Sequence, residues 1–326
     1  MSTISSSQNI LDIDCEKEVE RITSQMRDVV SKEFRRRGVV VALSGGVDSS
    51  VCAALCAEAF GSERVLALFL PEKDSSTEIT NLGKVVADML ALPWENEDIS
   101  PVLEKIGCYR WRDDAIRQVF PDYGSDWKNK IVIRGAAGGK FHFFYLVVQS
   151  PDGCIYDKRL PHDAYLQIVA ATNYKQRIRK TIEYFHADRL NYAVVGTPNR
   201  LEYDQGFFVK NGDGSADIKP IAHLYKTQVY QLARYLKLPE EICNAVPTTD
   251  TYSLPQTQDE FYFSLPYHQM DVALWGYNHG MDAGKCAALL GLKEADIEAV
   301  YGDIAAKRKT TKYLHEAPRL ISSVLS

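Results

Sequence analysis

The chain of 326 residues, 45% hydrophobic and 25% charged, can bury one sizeable core and a smaller second one, and its formal net charge of −5 argues against the basic face of a nucleic-acid binder. No apolar run approaches the ~18–20 residues of a membrane span, and residues 1–10 lack the basic-then-apolar order of a signal peptide, so a cytoplasmic protein without membrane or nucleic-acid partners is expected. Seven cysteines, odd in number and with no Cys-x-x-Cys pair, read as reduced packing thiols rather than a disulfide framework or a zinc site.

Residues 1–13 are Ser-rich and expected to be flexible, ahead of one domain over 14–326. Asp12 or Asp14 is placed to cap a helix running to the basic cluster Arg35-Arg36-Arg37, which Gly38 ends. An unbroken apolar strand over 39–43 then enters the glycine turn Ser44-Gly45-Gly46, and an Ala/Cys-rich helix follows over about 49–59. A second strand over 65–70 leads to a helix over about 76–90. The pattern resumes with a long helix over about 163–187 and a strand over 192–195. Strands apolar on both faces and alternating with helices predict a doubly wound α/β fold built on a parallel sheet. Between the halves, over about 108–160, the segments 130–133, 141–148 and 155–156, with a turn at Pro151-Asp152-Gly153, predict a small antiparallel ribbon inserted into that unit. From Tyr225 onward the chain reads as helical, interrupted by a polar loop over 247–259, and no internal repeat is visible.

The stretch from Ser44 to Ser50 carries the first chemical signal. A strand, two glycines and a helix start place free backbone N–H groups where partial positive charge favours a phosphate. Ser44, Ser49 and Ser50 add hydroxyls, whereas Asp48 fits a phosphate site only through a metal ion. The Walker pattern and its lysine are absent. A plain structural turn accounts for Gly45 and Gly46 but not for Ser44 and Asp48-Ser49.

The run Ser44-Gly45-Gly46-Val47-Asp48-Ser49 resembles the pyrophosphate loop of the ATP pyrophosphatases, which implies an adenine nucleotide α-hydrolase-like sheet and ATP split between its α and β phosphates. A second region is more specific. Val195 to Pro220, with its strand-end Gly-Thr, Gly-Phe-Phe-x-Lys-x-Gly-Asp-Gly turn and Asp-Ile-x-Pro, followed by Leu224 to Gln228, resembles the ammonia-dependent NAD synthetases. The resemblance covers about 15–106 and 165–312. It implies that Asp48 and Glu202 share Mg2+, that residues 44–50, Thr197, Lys226 and Thr248 bind ATP, and that Arg177, Lys210, Asp217 and Lys307 bind deamido-NAD. Asp48 and Lys226 would be the catalytic pair. It also implies a helical C-terminal part and a homodimer with the dinucleotide across the interface. Two departures stand out: Ala306-Lys307-Arg308-Lys309 lacks the family's usual histidine before the lysine, and the ribbon is longer than the minimal family needs. No nitrilase-like glutaminase segment precedes the loop, so ammonia is the expected nitrogen donor, free or supplied by a separate glutaminase.

The expected reaction is therefore amidation of deamido-NAD with ammonia and ATP, through an acyl-adenylate, to NAD, AMP and pyrophosphate. Another ATP pyrophosphatase acting on a different carboxylate is the alternative, and a non-catalytic nucleotide-binding module is a third. Cys52 and Cys56 read as core, Phe261-Tyr262-Phe263 as core or loop anchor, and His186, His223 and His268 show no metal-ligand spacing.

Overall fold

A computed structural model describes residues 10–135, 142–246, 251–256, 262–263 and 265–322. Its centre is a parallel sheet. Strand β1 (Val39–Ala42) pairs with β2 (Val65–Phe69) on one side and β7 (Ala193–Val195) on the other, and β3 (Trp94–Asn96) extends the β2 edge. Alternate residues of a strand point to opposite faces, and here both faces are covered. Val39 and Val41 pack with Ile22 of α1 (Cys15–Arg27), Val51 and Leu55 of α2 (Val47–Phe60) and Val229 of α8 (Lys226–Tyr235). Val40, Leu68 and Val194 pack on the opposite side with Leu103 of α4 (Ser100–Lys105), Tyr109 of α5 (Cys108–Arg117) and Ala187 of α6 (His162–Leu190). The doubly wound α/β expectation is thereby met.

Strand order reverses between β1 and β7, because the chain first adds β2 and β3 on one side and then crosses to the other. In open α/β sheets the crevice at such a switch point, beyond the carboxyl ends of the strands, is where ligands bind. Helix α3 (Thr77–Met89) crosses the loop after β1 so closely that a Cβ on Gly83 would lie 2.9 Å from the Phe69 ring and 3.2 Å from the Gly45 nitrogen.

The segment 108–160 differs in part from the expected ribbon. Its first ten residues form α5, because Cys108, Tyr109, Arg112, Ala115 and Ile116 recur at helical spacing and bury one face. The antiparallel sheet follows as β4 (Lys128–Gly135), β5 (His142–Gln149) and β6 (Ile155–Arg159), in the order β4-β5-β6. Ile131, Leu146 and Val148 of that sheet share a core with Ala164 and Ile168 of α6. A second unit gathers α7 (Arg200–Gln205), α10 (Tyr267–Asn278), α11 (Ala283–Leu290) and α12 (Glu294–His315) around Leu201, Met270, Leu274, Ile297 and Ile304. The short α9 (Glu240–Asn244) packs through Ile242 on the main core.

Both ends of the N-terminal expectation shift. Residues 1–9 lie outside the described residues, but Leu11 is 2% exposed in the second core, and Gln231 bonds both the Ile13 N–H and the Leu11 carbonyl, so residues 11–13 are anchored rather than loose. Asp14 is the cap, accepting from the Lys17 N–H, and the helix loosens into a π turn over Asp28–Glu33 before the arginine cluster.

Candidate active site

The switch point opens into a cavity of about 1150 Å³. Its floor is the loop between β1 and α2. Gly45 takes φ +89°, the left-handed region a side chain resists, and Gly46 caps α2 without a side chain, so Val47 and Asp48 sit in the first turn with N–H groups lacking helical partners. Hydroxyls brace the turn: Ser44 Oγ lies 3.1 Å from Ser49 Oγ, and Ser49 donates to the Gly46 carbonyl at 3.0 Å. Ser44, Gly45, Gly46, Val47, Asp48 and Ser49 line the cavity. Ser50 does not; it is fully buried and donates to the same carbonyl at 2.8 Å, so its hydroxyl serves the helix turn rather than the cavity.

The opposite lip follows β7. The Gly196 N–H donates to the Ile218 carbonyl at 2.8 Å, and Thr197 and Pro198 line the cavity. Asn199 caps α7 in a reciprocal box with Glu202, each bonding the other's backbone N–H at 3.2 Å. The same Asn199 donates from Nδ2 to Asp48 Oδ1 at 3.1 Å, which ties the two lips together. Lys226, 2% exposed at the start of α8, makes an ion pair with the other Asp48 oxygen. Burial alone would lower the Lys226 ammonium, yet the Asp48 and Glu202 carboxylates hold it well above its ordinary value. Lys226 is therefore a fixed positive charge facing the glycine loop after β1.

Behind that lysine stands a residue with no sequence signal. Asp271 of α10 is fully buried and accepts from both the Thr227 N–H and its hydroxyl at 2.7 Å, capping α8. Burial pushes its carboxyl up from 3.8 to about 6. An acid raised on folding holds an extra proton in the folded state between those values, so stability falls as pH climbs from about 4 to 6, by on the order of 3 kcal/mol. Asp271→Asn keeps an acceptor for Thr227 and should flatten that part of the curve. Thermal midpoints taken across pH 4–7 decide; parallel curves for variant and wild type would exclude Asp271 as the source.

The far wall contains Lys180, Glu183 and Asp213. Lys180 donates to Glu183 at 2.6 Å, Asp213 accepts from the Val209 N–H at 2.8 Å, and burial raises both carboxyls above their ordinary values. Carboxyls so raised can take up a proton nearer neutrality than exposed ones. Lys307 of α12 also lines the cavity, donating to Asp303 at 2.7 Å and to the Tyr262 carbonyl at 2.6 Å, with its ammonium 4.4 Å from the Tyr262 ring centre. Burial lowers its ammonium, against the pull of Asp303.

Three residues of the expected dinucleotide set lie elsewhere. Arg177 is exposed on α6 and donates to the Lys210 carbonyl at 3.3 Å. Lys210 donates to the Tyr313 carbonyl at 2.7 Å, across the outer face of α12. Asp217 is exposed and takes the Val194 N–H at 2.7 Å, so it finishes the β7 edge while Asp213, four residues earlier, is the acid of that turn on the cavity wall. Thr248 and Phe261 lie outside the described residues.

Sequence spacing also missed the buried base of the cavity wall. Lys175 bonds Glu72 and Asp74, each at 2.8 Å, and Arg112 bonds Asp74 at 2.7 Å, with all four side chains under 10% exposed. His186, without metal spacing in the sequence, meets Glu95 and Glu97 in space, and Arg189 already bonds Glu95 and, at 3.0 Å, His186 Nδ1. Cys52 and Cys56 are buried in the core beneath the loop, and all seven cysteines are unpaired.

Comparison with known proteins places this arrangement. The family model described as NAD synthase matches residues 18–115 and 152–313, two stretches that flank β4 and β5. The NH3-dependent NAD+ synthetase of Mesorhizobium japonicum is 56% identical over 312 residues, covering 95% of this chain and 98% of that protein. Among solved structures, the NMN synthetase of Francisella tularensis superposes with a TM-score of 0.65 at 20% identity, over 95% of this chain and 99% of that one. The NH3-dependent NAD synthetase of Campylobacter jejuni gives 0.62 at 20% identity, over 95% and 100%. At that identity the two structures speak for the fold alone.

Proposed function

The chain belongs to the NAD synthase family, and from that premise we propose how its own residues carry out the ATP-dependent amidation of deamido-NAD with ammonia. The reaction makes NAD, AMP and pyrophosphate through an acyl-adenylate. The observation that carries the assignment of roles is the Lys226–Asp48–Asn199–Glu202 chain, anchored on buried Lys226 and Asn199, which joins the glycine loop after β1 to the β7 lip at the sheet's switch point.

A carboxylate in water has a poor leaving oxygen, and transfer of AMP converts it to a good one. Expelling pyrophosphate builds negative charge on the outer phosphates. The N–H groups of the Ser44–Ser49 loop and the Lys226 ammonium meet that charge, Thr197 is assigned to ATP from the β7 lip, and Thr248, outside the described residues, is assigned to ATP on the family resemblance alone. Asp48 and Glu202 fit Mg2+: both are hard oxygen donors, and carboxylates with substrate phosphates are its usual protein setting. When bound, the ion would neutralise phosphate charge.

Lys307 is assigned to deamido-NAD from within the cavity. Arg177, Lys210 and Asp217 are assigned to the same substrate from the outside, through a homodimer. Leu166, Ala170, Arg177, Thr181 and Phe185 form one exposed stripe of α6, in which Leu166 and Phe185 are 50% and 61% exposed. A long stripe of that kind, with a cation at its centre, suits a second copy of the chain binding an anionic dinucleotide. Thiols left unpaired and a need for ATP support a cytoplasmic enzyme. Ammonia is taken free or from a separate glutaminase.

The test is pyrophosphate release by the purified chain over a panel of carboxylates with ammonium or glutamine. Turnover specific to deamido-NAD and ammonium is expected, and preference for another carboxylate would remove the assignment. Arg177→Glu, which exchanges one charge for its opposite near a partly screened phosphate, should raise KM for deamido-NAD about tenfold or more while KM for ATP stays within about twofold.

A further inference from the structure

Strand β4 is an edge of its sheet, and an edge presents unpaired N–H and C=O groups that must find partners. Part of that edge is taken by residues 253–256. The Asn129 N–H donates to Ser253 Oγ at 2.8 Å, the Leu254 N–H donates to the Asn129 carbonyl at 3.1 Å, and Gln256 Nε2 donates to the Ile131 carbonyl at 2.5 Å. Lys130 Nζ reaches the Pro255 carbonyl at 3.2 Å. Side chains seal the contact: Tyr252 is 4% exposed in the core that the ribbon shares with α6, and Leu254 is 8% exposed against Val132 and Val147. From the other side, Lys175 Nζ donates to the Thr251 carbonyl at 3.1 Å.

The two residues just before the docked ones are cavity wall. Thr251 and Tyr252 line it beside Ile133 of β4 and Phe144 of β5, whose ring stacks on Tyr165 at 4.1 Å. The ribbon is thus both a surface of the reaction cavity and the support of the segment next to it. Asn129 supplies two backbone bonds of that support and is fully buried, its Nδ2 donating to the Tyr123 hydroxyl at 2.8 Å.

We propose that the β4 edge is a dock that holds residues 253–256 and thereby mounts Thr251 and Tyr252 as a substrate-binding wall of the cavity, with Asn129, Ser253 and Gln256 as positioning residues for them. This rests on the amidation reading for the identity of the substrates. A wall that touches substrate and transition state alike contributes uniform binding, so weakening the dock raises KM and leaves kcat.

Ser253→Ala removes the acceptor of the Asn129 N–H and Lys130→Ala the cross-link to Pro255. Both changes lie at the dock and leave the phosphate loop untouched. Amide exchange over 251–256 should quicken in both variants. KM for ATP or deamido-NAD should rise about fivefold, the worth of one modest hydrogen bond, with kcat within about twofold. Ser253→Thr, which keeps the hydroxyl, should restore both readouts. A thermal midpoint within about 2 °C of wild type separates this from general destabilisation. Quickened exchange with both KM values unchanged overturns the positioning role, and unchanged exchange in both variants overturns the dock itself. If the wild type releases no pyrophosphate with deamido-NAD, the amidation reading fails, whereas the exchange comparison still decides the dock.

Discussion

Lys226→Ala should lower kcat for pyrophosphate release by about a hundred- to a thousandfold, the ~3–4 kcal/mol typical of removing one preorganised charge-stabilising donor. The lysine is 2% exposed and its ammonium is held charged by Asp48 and Glu202, so no rearrangement is needed when phosphate charge develops. Asp48→Asn and Glu202→Gln should act on the same step in a different way, each raising the magnesium concentration needed for half-maximal rate. Circular dichroism and thermal midpoints would show whether the variants are folded, and stopped assays across a magnesium series would give the rates. A loss below tenfold for Lys226→Ala, or unchanged magnesium dependence in both carboxylate variants, would remove the phosphate-site assignment.

Lys175→Met should cost about 3–5 kcal/mol of stability, the usual effect of taking one partner from a buried ion pair. Its ammonium joins Glu72, whose side chain is 0% exposed, and Asp74, 9% exposed; methionine fills the space and leaves the two acids facing one charge fewer. Burial pushes the Asp74 carboxyl up, but Lys175 and Arg112 bring it below its ordinary value of 3.8. For an acid lowered on folding, the stabilisation is complete above about pH 4 and is lost as pH falls through the folded value. Urea midpoints at fixed protein concentration should therefore separate wild type and Lys175→Met at pH 7. Adding Glu72→Gln and Asp74→Asn should recover part of the loss, because neutral amides tolerate burial better than unpaired charges. A difference under about 1 kcal/mol at pH 7 would mean that water or another cation replaces the lysine.

Much of this architecture is written locally. The run 39–43 is apolar at every position and, being short and bounded by Gly38 and Gly45-Gly46, fits a strand covered on both faces. Two glycines followed by Val-Asp-Ser-Ser set a tight turn and a helix start within a few residues, so the loop proposed to bind phosphate is legible in the sequence itself. The long helix over 163–187 and the ribbon strands were legible for the same reason, each having a period that neighbours along the chain reveal. From Cys108 the buried face recurs at helical spacing, but ten residues make too short a run to stand out beside the strands that follow, so the helix is hidden within the expected ribbon.

What the chain alone could not settle is which distant groups share a space. Asp48 meets Asn199 across 151 residues, and Lys175 meets Glu72 across 103. Neither pairing has a spacing to read. Asp213 and Asp217 sit in one turn and are indistinguishable by type, yet only the packed backbone turns the first toward the cavity and gives the second to the β7 edge. The ribbon shows in the sequence as short apolar runs around a Pro-Asp-Gly turn, while its edge meets residues 253–256 only in three dimensions. Secondary structure and the glycine turn after β1 follow from nearest-neighbour geometry, which a sequence carries directly. The charge network, the cavity wall and the dock follow from burial of groups far apart in the chain, which the sequence left open until the sheet, the long helix and the C-terminal bundle closed around them.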